Sequence, residues 1–425
     1  MELNSASKEQ LAQWEQDLAA EYQAIKAKQL NLDLTRGKPS SEQLSLSDAM
    51  DGILNGDYKT ADGTDTRNYG GLDGIAEIQA IGAEILTAPV ENVLAGGNSS
   101  LTLMHQAMSV AYFFGLNGAD SAWSKESTVK FLCPVPGYDR HFAVCEHLGI
   151  EMVTVPMTAN GPDMDVVEKL VAEDHAIKGM WCVPKYSNPT GVVYSDETVQ
   201  RIAALGKVAA ANFRVFWDNA YGVHDLSAEP VALASIFDAC KAAGTEDSVL
   251  QFASTSKITF AGAGVAFMAA SSANLAGFKK SLGFMTIGPD KINQLRHAKF
   301  FAAPGSLKAH MEKHAAIIKP RFASVLSHLE EAFGDNDLGQ WESADGGYFI
   351  SFDTRPGLAK EVVKLAGEAG VKLTPAGATF PYGNDPQDAN IRIAPTVPTV
   401  AQVDEAMKVF VTCVKLASVR QALAA

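Results

Sequence analysis

Between residues 90 and 270, short apolar runs alternate with helix-like stretches, and this alternation limits the possible folds more than any other feature of the chain. The candidate strands are residues 93–95, 129–133, 152–155, 179–183, 214–217, 249–253 and 265–268. Helical stretches at 101–114, 139–148, 165–172 and 196–211 lie between most of them. Strands joined through helices lie parallel and are covered on both faces. The prediction is therefore an α/β fold whose large domain has a mainly parallel seven-stranded sheet.

After Pro304 the pattern changes. A helical stretch at 307–333 contains Pro320, where a break or kink is expected. An extended segment (347–352), a helix (358–369), two strands (371–373 and 390–393) and a closing helix (400–423) complete a smaller α+β unit. The first 30 residues read as an amphipathic helix with Ser7 and Gln10 placed for a capping box. The expected division is an arm (1–45) packing with the small domain, a large domain (46–303) and a small C-terminal domain (304–425).

A chain of 425 residues with 47% hydrophobic and 20% charged residues has the balance of a packed globular protein. It has no apolar run of the roughly 20 residues that a membrane span needs. Glu2, Lys8, Glu9 and Glu15 stand where the apolar part of a secretory leader would lie. Five scattered cysteines form no C-x-x-C pair, so reduced thiols and a cytoplasmic setting are expected. A net charge of −14 argues against a nucleic-acid partner.

In α/β sheets, ligands collect beyond the carboxyl ends of strands, so the residues after each strand matter most. Gly96-Gly97-Asn98-Ser99-Ser100 leads from a strand into a helix, as a phosphate cradle or as a serine-capped turn. Pro184 to Gly191 forms a rigid loop in which Asn188 can present an amide donor. Asp218 ends an apolar strand, where a carboxylate is costly unless a cation meets it. Lys257 follows Ser254-Thr255-Ser256 at a strand mouth, where desolvation can turn an amine into a nucleophile.

In this order, and followed by Arg392 in Asn390-Ile391-Arg392-Ile393-Ala394, the pieces resemble the class I aminotransferases of fold-type I pyridoxal-phosphate (PLP) enzymes. The strings Pro-Lys-Tyr-Ser-Asn-Pro-Thr-Gly, Ser-Thr-Ser-Lys-Ile-Thr-Phe and Asn-Ile-Arg-Ile-Ala-Pro-Thr look most like a bacterial aspartate aminotransferase subgroup. The resemblance covers the chain from about Leu32 onward. It implies that the large domain binds PLP and that Lys257 forms its Schiff base and shuttles the proton. Asp218 would pair with the ring nitrogen, and Asn188 and Tyr221 would bond the phenolic oxygen. Ser99, Ser100 and Ser254 would hold the phosphate, and Tyr138 would stack on the ring.

By the same resemblance, Arg392 would grip the substrate α-carboxylate, with Asn188 beside it. Gly37 would close over the substrate, and Tyr69 would reach the phosphate of a neighbouring subunit. The implied reaction moves an amino group from an L-amino acid, expected to be aspartate, to a 2-oxo acid, expected to be 2-oxoglutarate. It would run by a ping-pong mechanism in a homodimer with shared active sites. The chain departs from the wider family at Ala261-Gly262-Ala263-Gly264-Val265, where many members carry a phosphate-binding arginine. Lys38, Lys291 and Arg296 are the alternative cations. For a second substrate carboxylate the candidates are Arg36, Arg67, Lys291 and Arg296.

His310 and His314 have zinc-compatible spacing, but flanking lysines favour a solvated helix face, and no metal is expected. His105, His141 and His224 stand alone and carry no argument. A C–S β-lyase or a transaminase of other specificity would keep the same cofactor. A PLP-binding regulator without turnover would need a DNA-binding segment of ~60–70 residues ahead of the match, whereas about 30 precede it.

Overall fold

The structure is a computed structural model that describes residues 3–342 and 344–425. Among these the chain forms β1 (Leu32–Leu34), β2 (Val93–Ala95), β3 (Lys130–Val135), β4 (Glu151–Thr158), β5 (Gly161–Pro162), β6 (Ile177–Cys182) and β7 (Arg214–Asp218). Then follow β8 (Val249–Ser254), β9 (Ala266–Ala270), β10 (Gly339–Trp341), β11 (Ile350–Thr354), β12 (Val371–Leu373) and β13 (Asn390–Ile393). The large sheet runs β2-β9-β8-β7-β6-β3-β4-β5. Neighbours from β8 across to β4 are parallel, while β9 is antiparallel to both β8 and β2. The expected seven strands are all present, and β5 adds a two-residue antiparallel edge on β4.

The central strands are buried along their whole length because helices cover both faces. Alternation then sends Phe131, Trp181, Phe216 and Phe252 to one face and Leu132, Met180, Val215 and Trp217 to the other. Burying each such aromatic ring stabilises the fold by about 1.5–3 kcal/mol. The connection leaving β3 goes outward to β4, whereas the one leaving β6 goes the other way to β7. That reversal opens a crevice between β3 and β6 at their carboxyl ends, and the loops bearing Tyr138 and Asn188 border it.

The second unit joins both ends of the chain. β10, β11 and β13 form an antiparallel sheet, and β1 of the arm pairs in parallel with β12. The N-terminal helix Lys8–Ala27 opens with the Ser7–Gln10 capping box. Its Leu11, Leu18, Tyr22 and Ile25 share a core with Val325, Leu329, Phe352 and Val414. The helix Ser306–Phe333 runs through Pro320 without the expected break. Ile318, Phe322 and Val325 on either side are buried in the same core, so packing of the flanking turns outweighs the one lost backbone bond. No helix among the described residues is long and apolar enough to cross a membrane.

Candidate active site

Asp218 ends β7 and Lys257 follows the end of β8, the adjacent parallel strand. Asp218 is buried, with 2% of its surface exposed. Its Oδ2 meets His141 Nε2 at 2.9 Å, and its Oδ1 is buried with no hydrogen-bond partner. A lone carboxylate oxygen in that position is costly. A protonated ring nitrogen would relieve the cost, so the residues present fit the cofactor that the motif order implies. Burial pulls the Lys257 amine below its usual pKa range, while the Asp218 carboxylate pulls it the other way. The amine lies 5.2 Å from the centroid of the Tyr221 ring.

Lys257 opens on a cavity of about 610 Å³ that Tyr138, Asn188, Tyr221, Phe349 and Arg392 also line. Burial pushes the Tyr138 hydroxyl up to about 12, helped by the nearby Asp218 and Asp139 carboxylates. Burial likewise keeps the Tyr221 phenol protonated. Arg392 projects from β13, in register with Ser351 of β11. Its Nη1 donates to Asp139 Oδ1 at 2.9 Å and to Asn188 Oδ1 at 3.2 Å. The guanidinium lies 4.8 Å from the Phe349 ring centroid, and its buried Nε has no partner. Part of the fork is thus fixed by the protein and part is available to an incoming carboxylate.

Thr35 to Lys38 also line the cavity. A Cβ on Gly37 would stand 2.4 Å from the Phe349 ring, so the strap can lie this close only with glycine there. Of the four proposed cations for a second carboxylate, Arg36 alone lines the cavity. Arg67 is paired with Asp65 at 2.6 Å, Lys291 donates to Gly70 O at 2.6 Å, and Arg296 lies on the helix Lys291–Phe300. The cavity wall also includes Arg140, which the sequence reading did not single out. It directly follows Tyr138-Asp139, and that adjacency was the available signal.

After β2, Ser99 caps the helix Ser100–Phe113 by accepting from Thr102 N. Gly97 reaches a φ of +70° before it, a conformation that suits glycine. Ser254 donates to Ser256 Oγ at 3.1 Å, and Ser256 donates to the Asn98 carbonyl at 3.2 Å, drawing the two loops together. Tyr69 lies outside the cavity wall with 83% of its surface exposed.

Two expectations about histidines are overturned. His141, read as isolated, stacks on Trp181 at 4.1 Å and orients Asp218. His310 and His314, read as a solvated face, are buried and both approach the Ile258 carbonyl, at 2.7 and 2.8 Å. His224, also set aside, lies 3.2 Å from the Lys257 carbonyl. Charge on the flanking Lys313 misled the reading, because the helix turns Lys313 away from the buried pair.

Burial lowers His224 to about 3, and His297 and His314 to about 4. An unfolded histidine titrates near about 6.5, so between that pH and about 4 the unfolded chain binds the extra protons. Stability is therefore complete above the window and falls as acid is added through it. Denaturant midpoints followed from about pH 7 to pH 5 should fall, by ~1 kcal/mol per pH unit for each of the three rings. A flat profile would contradict the buried neutral state.

A mixed sheet that ends adjacent strands with a buried, half-paired carboxylate and an amine, the amine sharing its cavity with an arginine, has the architecture of an aminotransferase. Residues 6–425 match the family described as aspartate amino-transferase. The aspartate aminotransferase of Corynebacterium glutamicum is 47% identical over 411 residues, spanning 96% of this chain and 95% of that protein. The crystal structure of an aspartate transaminase from the same species superposes with a TM-score of 0.95, at 46% identity over 99% of both chains. An α-aminoadipate aminotransferase from Thermus thermophilus, solved with N-(5'-phosphopyridoxyl)-L-leucine, shares the fold at a TM-score of 0.73 and 20% identity, over 96% of this chain and 97% of its own. The chain belongs to the aspartate aminotransferase family, and it is an enzyme that transfers amino groups between amino acids and 2-oxo acids.

Proposed function

We propose that the enzyme uses PLP to move the amino group of aspartate to 2-oxoglutarate, in two half-reactions at one cavity. The carrying observation is the buried, unpartnered Asp218 Oδ1 beside the Lys257 amine. The phosphopyridoxyl ligand of the Thermus thermophilus relative supports the cofactor. Bound PLP supplies an electron sink for negative charge at the substrate α-carbon. Asp218 holds the proton on the ring nitrogen, and His141 fixes the carboxylate's orientation. Tyr221 and Asn188 hold the phenolic oxygen, Tyr138 covers the ring face, and Ser99, Ser100 and Ser254 take the phosphate. Lys257 Nζ carries the proton to and from the substrate α-carbon.

Arg392 takes the α-carboxylate by the side of its fork that Asp139 and Asn188 leave free. Arg36 and Arg140, in the cavity wall, supply positive charge for the second carboxylate of a dicarboxylic substrate. The working unit is a homodimer in which the exposed Tyr69 reaches the partner's site, with the chain dividing at 45/46 and 303/304. Adding aspartate to the purified holoenzyme should convert the visible cofactor band to the amine form without loss of cofactor. Release of pyruvate and ammonia from cysteine conjugates, with no such conversion, would favour a lyase and overturn this reading. Arg392→Lys, which keeps the charge but loses the planar fork, should lower kcat/KM for aspartate by ~100-fold, measured by steady-state kinetics.

A further inference from the structure

The polar groups behind Lys257 have a single consistent direction. Gln43 belongs to the short helix Ser41–Ser45, five residues beyond the cavity strap that ends at Lys38. Its Oε1 accepts from Ser40 N at 3.0 Å, which fixes how the amide is turned. Its Nε2 must then donate, to His314 Nδ1 at 3.0 Å and to the Tyr348 hydroxyl at 2.9 Å. Accepting at Nδ1 leaves a neutral His314 with its proton on Nε2, which points at the Ile258 carbonyl. Having accepted from Gln43, Tyr348 donates onward to the Lys257 carbonyl at 3.4 Å.

The remaining lone pairs on those two carbonyls are taken by His310 and His224. The peptide carbonyls of Lys257 and Ile258 thus each receive two side-chain donors, and one donor on each carbonyl depends on Gln43. The strap and its helix have their own anchors. Thr374 Oγ1 donates to Thr35 O and Thr396 Oγ1 to Lys38 O, both at 2.8 Å, and Arg321 binds Glu42 at 2.5 Å. Seating the arm on the small unit therefore delivers Gln43 to the back of the lysine turn.

We propose that Gln43 is a positioning residue, acting through Tyr348 and His314, that sets the Lys257 peptide in place when the arm bearing the substrate strap is seated. The proposal deepens the PLP reading and rests on Lys257 being the cofactor's lysine. Nothing in the relay touches substrate. Its effect falls on the orientation of the Lys257 amine, and so on kcat and on how the lysine-bound cofactor titrates, and much less on KM.

Gln43→Glu keeps the side-chain length and the capping box, because a carboxylate still accepts from Ser40 N. It removes both donors and draws the Tyr348 hydroxyl away from the Lys257 carbonyl. Tyr348→Phe deletes the same bond from the other side with minimal change of shape. Each variant should shift the pH midpoint of the visible lysine–cofactor band and lower kcat about fivefold, with KM changed less than about twofold. Each apo-protein should also form the borohydride-trapped adduct with added PLP about fivefold more slowly. The double variant should be no worse than Gln43→Glu alone, since that change already breaks the path through Tyr348.

Loss of melting temperature alone, with the midpoint, kcat and trapping rate unmoved, would reduce the relay to structure and overturn the proposal. Additive effects in the double variant would overturn it as well. Lys257→Ala serves as the reference. If that variant keeps the visible band, the PLP reading itself fails, and if it loses the band while the relay variants behave as wild type, only the relay fails.

Discussion

Lys257→Ala leaves a folded protein without the visible lysine–cofactor band and with turnover reduced by at least ~10,000-fold. The size follows from losing two roles at once, the covalent anchor and the proton carrier, the second alone worth about 100- to 10,000-fold. The other cationic side chains of the cavity wall are Arg36, Lys38, Arg140 and Arg392. Lys38 is the only other amine among them, and it belongs to the strap, whose Lys38 carbonyl is tied to Thr396 of the small unit. The fold should survive, because the lysine turn is held by its backbone carbonyls and by Thr255 and Thr259 on His297, all of which alanine leaves in place. The melting temperature should stay level or rise, since burial already disfavours the charged amine. Absorbance spectra, thermal melts and single-turnover assays on one preparation make the check. A variant retaining a tenth of wild-type turnover would remove Lys257 from the chemistry.

What could be read from the chain beforehand divides along physical lines. Strand–helix alternation is local, so the sheet of the large unit was legible, including the seven strands that carry the site loops. The motif order likewise brought out Lys257, Asn188, Tyr138, Tyr221 and Arg392, which the fold gathers in one cavity. What stayed hidden was pairing across long sequence separation. His141 gains meaning through Asp218, 77 positions away, and His314 through Ile258, 56 positions away. No periodicity encodes such partners. Pro320 misled for the opposite reason: a local rule forecast a break, and packing of Ile318, Phe322 and Val325 overrode it. Arg140 belongs to no motif of its own, yet the turn that carries Tyr138 into the cavity wall carries Arg140 there too.

Asp218→Asn should cost ~100- to 1,000-fold in kcat, the second-largest effect expected of a single substitution. The carboxylate ends β7 with one oxygen bound to His141 and the other unpaired in a buried setting. In such surroundings, removing one member of a charge pair costs about 3–5 kcal/mol. The amide has nearly the same shape, so cofactor retention and folding should change little, but it cannot hold a cation at the ring nitrogen. If charge is the reason, a cofactor whose ring nitrogen is methylated, and therefore permanently positive, should restore at least about tenfold of the lost kcat in the variant. The same analogue should not help the wild type. His141→Asn should give a smaller loss, because it frees Asp218 to turn without removing its charge. Should the methylated cofactor fail to rescue Asp218→Asn while binding normally, the carboxylate would be organising the site by shape and hydrogen bonding, and its pairing with a ring cation would have to be abandoned.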